Sequence, residues 1–140
     1  IDYLRLAVAA DCIRGGARFI ATNRDPIYPT ERKLRPGAGA IVSAIAVAAG
    51  REPEVSIGKP EPLLLLEAAS AVGSPAADGV MIGDGIDTDL AAARAVGARC
   101  ILMLTGVTTR AAVDALATDA RPTAVAADAT ELAAALDRLD

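Results

Sequence analysis

Residues 79–93 restrict the possible folds more than any other stretch, because an apolar run, Val80-Met81-Ile82, meets a glycine turn and then alanine-rich sequence. Three successive large apolar residues fit a strand buried on both faces, and Gly83 and Gly85 permit a sharp turn. A helix is predicted to follow, capped by Asp87 or Thr88, alanine-rich over residues 90–96 and stopped at Gly97. Asp84 and Asp89 therefore fall between the carboxyl end of a strand and the start of a helix, where open α/β sheets bind ligands. Carboxylates crowded there repel one another. A hard divalent cation such as Mg²⁺ offsets that repulsion, whereas a helix N-terminus supplies only about half a charge. Taken singly, Asp87 and Asp89 also read as ordinary helix-start acids and Asp84 as a turn residue.

Only 2% of the 140 residues are aromatic while 53% are hydrophobic, so any core must be built from Ala, Val, Leu and Ile on regular elements. That composition points to an α/β protein and away from disorder. No apolar run approaches the roughly 18 residues needed to span a bilayer, and the first residues carry no signal-peptide pattern, so the cytoplasm is the expected location. The net charge is −4. It offers no basic field to nucleic acid, and there is no aromatic platform for bases. Cys12 and Cys100 lack metal-ligand spacing and read as small, reduced core residues. The chain has no histidine. This removes His general bases, Ser-His-Asp and Cys-His nucleophiles and the usual zinc sites, leaving carboxylates, lysine, hydroxyls and backbone to do any chemistry.

Helical spacing of Tyr3, Leu6, Ala7, Ala10 and Ile13 predicts an amphipathic helix over residues 3–14, ended by Gly15-Gly16. A short strand over 18–21 leads into the polar turn Thr22-Asn23-Arg24-Asp25-Pro26. Residues 27–36 hold charges and, with Pro26, three prolines, and they read as a loop. A second helix is predicted over 37–49, with Ile41, Ala44, Ile45 and Ala48 on one face. Gly37-Ala38-Gly39 follows a proline rather than a strand and lacks the third glycine, which argues against dinucleotide binding. Further strands are predicted at 54–57, 100–104 and around Val125, and helices at 63–72, 109–117 and after Asp128. Asp128 and Glu131 have capping-box spacing, and Leu132, Leu136 and Leu139 line one side of the last helix. From residue 54 onward the alternation predicts a parallel sheet with helices on both faces.

Gly58-Lys59-Pro60, followed about twenty-five residues later by Gly83-Asp84 and then Thr88-Asp89, resembles the third and fourth motifs of the haloacid dehalogenase (HAD) superfamily of phosphohydrolases. Residues 19–26 and Arg35-Pro36-Gly37 are similar to the large α/β cap of its type IIA branch, which includes p-nitrophenyl phosphate, phosphoglycolate, glycerol phosphate, pyridoxal phosphate and nucleotide phosphatases. The resemblance covers residues 3–127. It implies a HAD-like Rossmannoid parallel sheet, with residues 1–53 the later part of the cap and 54–140 the later half of the catalytic core. It further implies Lys59, Asp84 and Asp89 as catalytic residues. Lys59 would stabilise charge on the transferring phosphoryl group, Asp84 would bind Mg²⁺, and Asp89 would either order the ion's shell or anchor Lys59. Asn23, Arg24, Asp25 and Tyr28 would lie on the cap loop that reads the leaving group of a small phosphorylated metabolite. Alone, Lys59 reads as a solvated helix-start lysine and the loop as a solvated turn.

The chain departs from the family pattern in lacking, near its start, the Asp-x-Asp that supplies nucleophile and acid/base, and the Ser/Thr-Asn motif before the cap. Asp2 stands in a helical pattern. The resemblance therefore implies a sheet without its central strand, an exposed edge at the Val80 strand, a large apolar surface, and no turnover by these residues alone. A non-catalytic module that binds phosphate or Mg²⁺, or that forms an oligomer through the cap or sheet edge, is the competing expectation. A phosphorelay receiver fits less well, because its lysine should follow its aspartates and Lys59 precedes Asp84.

Overall fold

Asp2 opens the first helix by accepting a hydrogen bond from the Arg5 N–H at 3.0 Å, and α1 (Tyr3–Arg14) runs on to Gly15. The computed structural model describes residues 1–30 and 33–139 and divides into two compact units, Ile1–Gly58 and Lys59–Asp140. In the first, α1 packs on α2 (Ala38–Ala49), with Ile13, Phe19 and Ala46 forming a small core flanked by Val42, Ile45 and Ala49. Two parallel strands, β1 (Ile20–Ala21) and β4 (Val55–Ser56), complete it with an antiparallel hairpin of β2 (Ile27–Pro29) and β3 (Leu34–Pro36).

Three expectations change here. Residues 27–36 are not all loop, because a two-stranded hairpin has only edge strands, and edges tolerate proline; residues 31 and 32 lie outside the described residues. The inward face of α2 is Val42, Ile45, Ala46 and Ala49 rather than Ile41, Ala44, Ile45 and Ala48. A helix apolar on every side carries little signal about its orientation. Cys12 is exposed, outside any core. The first unit runs to Gly58 and includes β4, which is hydrogen-bonded to β1.

The second unit is built on three parallel strands in the order β5 (Val80–Gly83), β6 (Arg99–Met103), β7 (Ala124–Ala126). Alternate residues of β6 enter opposite cores. Cys100 and Leu102 pack with Leu90 and Ala93 near α4 (Ala91–Ala95) and with Val113 of α5 (Arg110–Asp114). Ile101 packs with Ala126 and with Ala135 of α6 (Ala129–Asp137). Helices thus cover both faces, as the alternation predicts. Asp128 caps α6 by accepting from the Glu131 N–H at 2.9 Å, while Glu131 reaches back to the Ala127 N–H at 2.8 Å. Leu136 is exposed, however, and Leu132, Ala135 and Leu139 face the sheet.

Among the described residues β5 pairs on one side only, with β6. Helix α3 (Leu63–Val72) has no fully buried residue, and Leu64, Leu66, Val72 and Ile82 are all exposed. An open apolar cleft of about 300 Å³ runs between Leu65, Ala69 and Val72 of α3 and Val80 and Met81 of β5. The expected open edge and apolar surface are therefore present. No helix among the described residues is long and apolar enough to cross a membrane.

Candidate active site

Beyond β5 the backbone does not enter an ordinary α-helix. Residues Ile86–Leu90 form a wide π-turn in which the Leu90 N–H donates to the Gly85 carbonyl at 3.0 Å before α4 begins. The predicted cap at Asp87 or Thr88 is displaced, since Gly85 occupies that position and Asp87 is exposed. The wide turn lets the Asp89 side chain fold back beneath the strand end, where only 3% of the residue is exposed.

A buried carboxylate needs partners on both oxygens. Asp89 has them: Lys59 Nζ donates to Oδ1 at 2.7 Å, and the Gly85 N–H and Thr88 hydroxyl donate to Oδ2 at 2.9 and 3.3 Å. Burial pushes the Asp89 carboxyl up. The Lys59 hydrogen bond, the Gly85 N–H, the Lys59 charge and the Thr88 hydroxyl outweigh it and hold the group below the usual carboxylate range. The fit depends on missing side chains. A Cβ at Gly83 would lie 2.2 Å from Asp89 Cγ, and one at Gly85 would lie 2.0 Å from Thr88 Oγ1. Cys100 lies below, and its thiol is pushed up to about 11 by burial and then by the Asp89 charge, so it is no nucleophile at neutral pH.

Asp84 sits one residue before Gly85, half-buried, at the carboxyl end of β5. Its Oδ2 accepts from the Val107 N–H at 2.8 Å, and among the described residues Oδ1 has no hydrogen-bond partner. Mg²⁺ is commonly held by one or two carboxylates with water and substrate oxygens completing the octahedron. Asp84 fits that role. Asp89 could lend an oxygen only by releasing Lys59, Gly85 or Thr88. Lys59 keeps 42% of its side chain exposed while bound to Asp89, so part of its charge is available to an anion.

The other candidates lie in the first unit, where Asn23 Oδ1 accepts from the Asp25 N–H at 3.2 Å and shapes the turn. Arg24 pairs with Glu52 at 2.8 Å, and Asp25 and Tyr28 are exposed. The loop is held by its backbone: the Gly39 N–H donates to the Asp25 carbonyl at 2.9 Å and the Gly37 N–H to the Pro26 carbonyl at 3.0 Å. A Cβ at Gly39 would stand 2.3 Å from the Arg24 carbonyl oxygen, and one at Gly58 would stand 2.7 Å from that of Thr22. Gly37-Ala38-Gly39 thus serves close backbone approach, and the glycines were the signal for this cradle.

Residues 56–132, more than half of the chain, match a family model described as HAD-hydrolase-like. The chain belongs to the HAD-like hydrolase family. It is 43% identical over 110 residues to a 5'-nucleotidase of Bacillus subtilis (strain 168), an alignment covering 79% of this chain and 43% of that protein. The crystal structure of a 4-nitrophenylphosphatase from Thermotoga maritima superposes with a TM-score of 0.86 at 34% identity, covering 96% of this chain and 51% of that one. A glycerol phosphate phosphatase from Mycobacterium tuberculosis, crystallised in complex with magnesium, gives a TM-score of 0.78 at 39% identity over 89% of this chain and 37% of that one. The chain thus spans about half the length of the relatives it matches. The HAD fold and the type IIA branch expected from the motifs are borne out.

Proposed function

We propose that these residues supply the lysine and metal side of the active site of a Mg²⁺-dependent phosphate monoester hydrolase. The Lys59 to Asp89 contact of 2.7 Å carries this reading, because it fixes an ammonium, with part of its surface still open, to the turn that follows Asp84. In the proposed reaction Lys59 stabilises negative charge on the phosphoryl oxygens, Asp89 holds Lys59 in place, and Asp84 is the chain's carboxylate ligand to the ion. When bound, Mg²⁺ would neutralise phosphoryl charge and orient the ester. The attacking carboxylate comes from outside these 140 residues: Asp89 is committed to Lys59 and Asp87 lies exposed on the π-turn. The second unit is then part of the catalytic core and the first part of a cap, whose Asn23, Arg24, Asp25 and Tyr28 read the leaving group. The relatives' phosphatase and nucleotidase names support a small phosphorylated metabolite as substrate.

Turnover of p-nitrophenyl phosphate with Mg²⁺ tests this in a longer protein that includes an upstream Asp-x-Asp. Lys59→Ala and Asp84→Asn should each lower kcat by about 10²–10³-fold, and unchanged rates would refute the assignment. The 140 residues alone should be inactive. A competing role as a pairing module is favoured by the open β5 edge and the exposed leucines of α3. Light scattering separates the two, since a pairing module should form one defined oligomer.

A further inference from the structure

We infer that the turn after β6 belongs to the cation site: Gly106 and the Val107 amide position Asp84, a role that rests on the reading of Asp84 as the Mg²⁺ carboxylate. A carboxylate at a strand end rotates about two bonds, and a metal ligand must be held to about half an ångström. The Val107 N–H fixes Oδ2 at 2.8 Å and leaves Oδ1 for the ion. Gly106 makes the approach possible. A Cβ there would lie 1.7 Å from Asp84 Oδ2, 2.4 Å from Cγ and 2.7 Å from Cβ. Rotating the carboxylate away relieves only the first two of these contacts, so the backbone would have to shift as well.

Gly106 is not among the glycines with positive φ, so what it supplies is room rather than an unusual backbone conformation. The turn itself cannot easily retreat. On one side the Leu104 N–H donates to the Ala126 carbonyl of β7 at 2.8 Å. On the other, Thr108 is 7% exposed and the Thr109 hydroxyl caps α5 by accepting from the Ala112 N–H at 3.3 Å. Val107 contributes only its backbone, because its side chain points to solvent with the residue 69% exposed. Gly106 is therefore a positioning residue, acting on the ion through Asp84.

Mn²⁺ serves as a probe in place of Mg²⁺, titrated into the ¹⁵N-labelled 140-residue chain while amide broadening around Asp84 is followed. Wild type should broaden there and Asp84→Asn should not. Gly106→Ala should weaken apparent Mn²⁺ affinity by about tenfold or more, the usual size for loss of a group supporting a ligand, with its circular dichroism spectrum retained. Should Gly106→Ala fail to fold, Val107→Pro removes the same hydrogen bond without adding a Cβ and should show the same loss, whereas Val107→Ala keeps the N–H and should bind as wild type. If Gly106→Ala or Val107→Pro folds and binds Mn²⁺ as wild type while Asp84→Asn does not, the positioning role is overturned and Asp84 remains the ligand. If wild type shows no broadening at Asp84, or Asp84→Asn retains it, the role of Asp84 fails and that of Gly106 with it.

Discussion

The acidic turn after β5 and the loop around Asn23 to Tyr28 are built in opposite ways. In the first, side chains are the groups held: Asp89 by Lys59, Thr88 and the Gly85 amide, and Asp84 by the Val107 amide. In the second, glycines bring backbone to backbone, and the side chains of Asp25 and Tyr28 remain in solvent. Under the proposed function the first would hold catalytic groups, which gain from being fixed before substrate arrives, and the second groups that read a leaving group, which can be exchanged if the scaffold beneath does not depend on them.

Removing Asp89 should therefore have the largest effect on folding. Asp89→Ala is expected to cost about 2–3 kcal/mol in urea unfolding, below the 3–5 kcal/mol of a fully buried pair because Lys59 can turn into water. A loss under 0.5 kcal/mol would mean that the acidic turn is no more interlocked than the loop. The same carboxylate sets an acid limit. Its folded pKa lies below the ordinary aspartate value of 3.8, so its stabilisation is complete above that pH and is lost as pH falls through the folded pKa. Asp89→Asn should flatten the pH dependence of stability on the acid side, and an unchanged slope would assign acid unfolding to other carboxylates.

Gly39→Ala probes the cradle and should cost about 1–3 kcal/mol through overpacking against the Arg24 and Asp25 carbonyls. The smallest effects should come from Asp25→Ala and Tyr28→Phe, each within about 0.5 kcal/mol of wild type in thermal unfolding. A large loss at either would show that loop side chains carry structure after all.

Local signals led furthest in reading the sequence. The bounds of α1 were predicted from periodicity and terminal glycines and those of α3 from an apolar run ended by Gly73, and Asp128 with Glu131 announced the start of α6. What the pattern missed depends on distant partners. Asp84 meets Val107 across 23 positions, and nothing near Gly106 in sequence announces that contact. The π-turn departs from the period that a helix reading assumes, and α2 is too uniformly apolar to reveal its inner face. The family motifs pointed to Lys59, Asp84 and Asp89. The bare positions that make room for them had to be found in three dimensions.

The two-sided packing of β6 has a thermodynamic corollary. Cys100 and Leu102 anchor one core and Ile101 the other, all within one five-residue strand. Neither layer can melt while its opposite survives, so Lys59–Asp140 should lose structure in a single cooperative step. Heating would then abolish the ammonium-carboxylate latch and α6 at one shared midpoint.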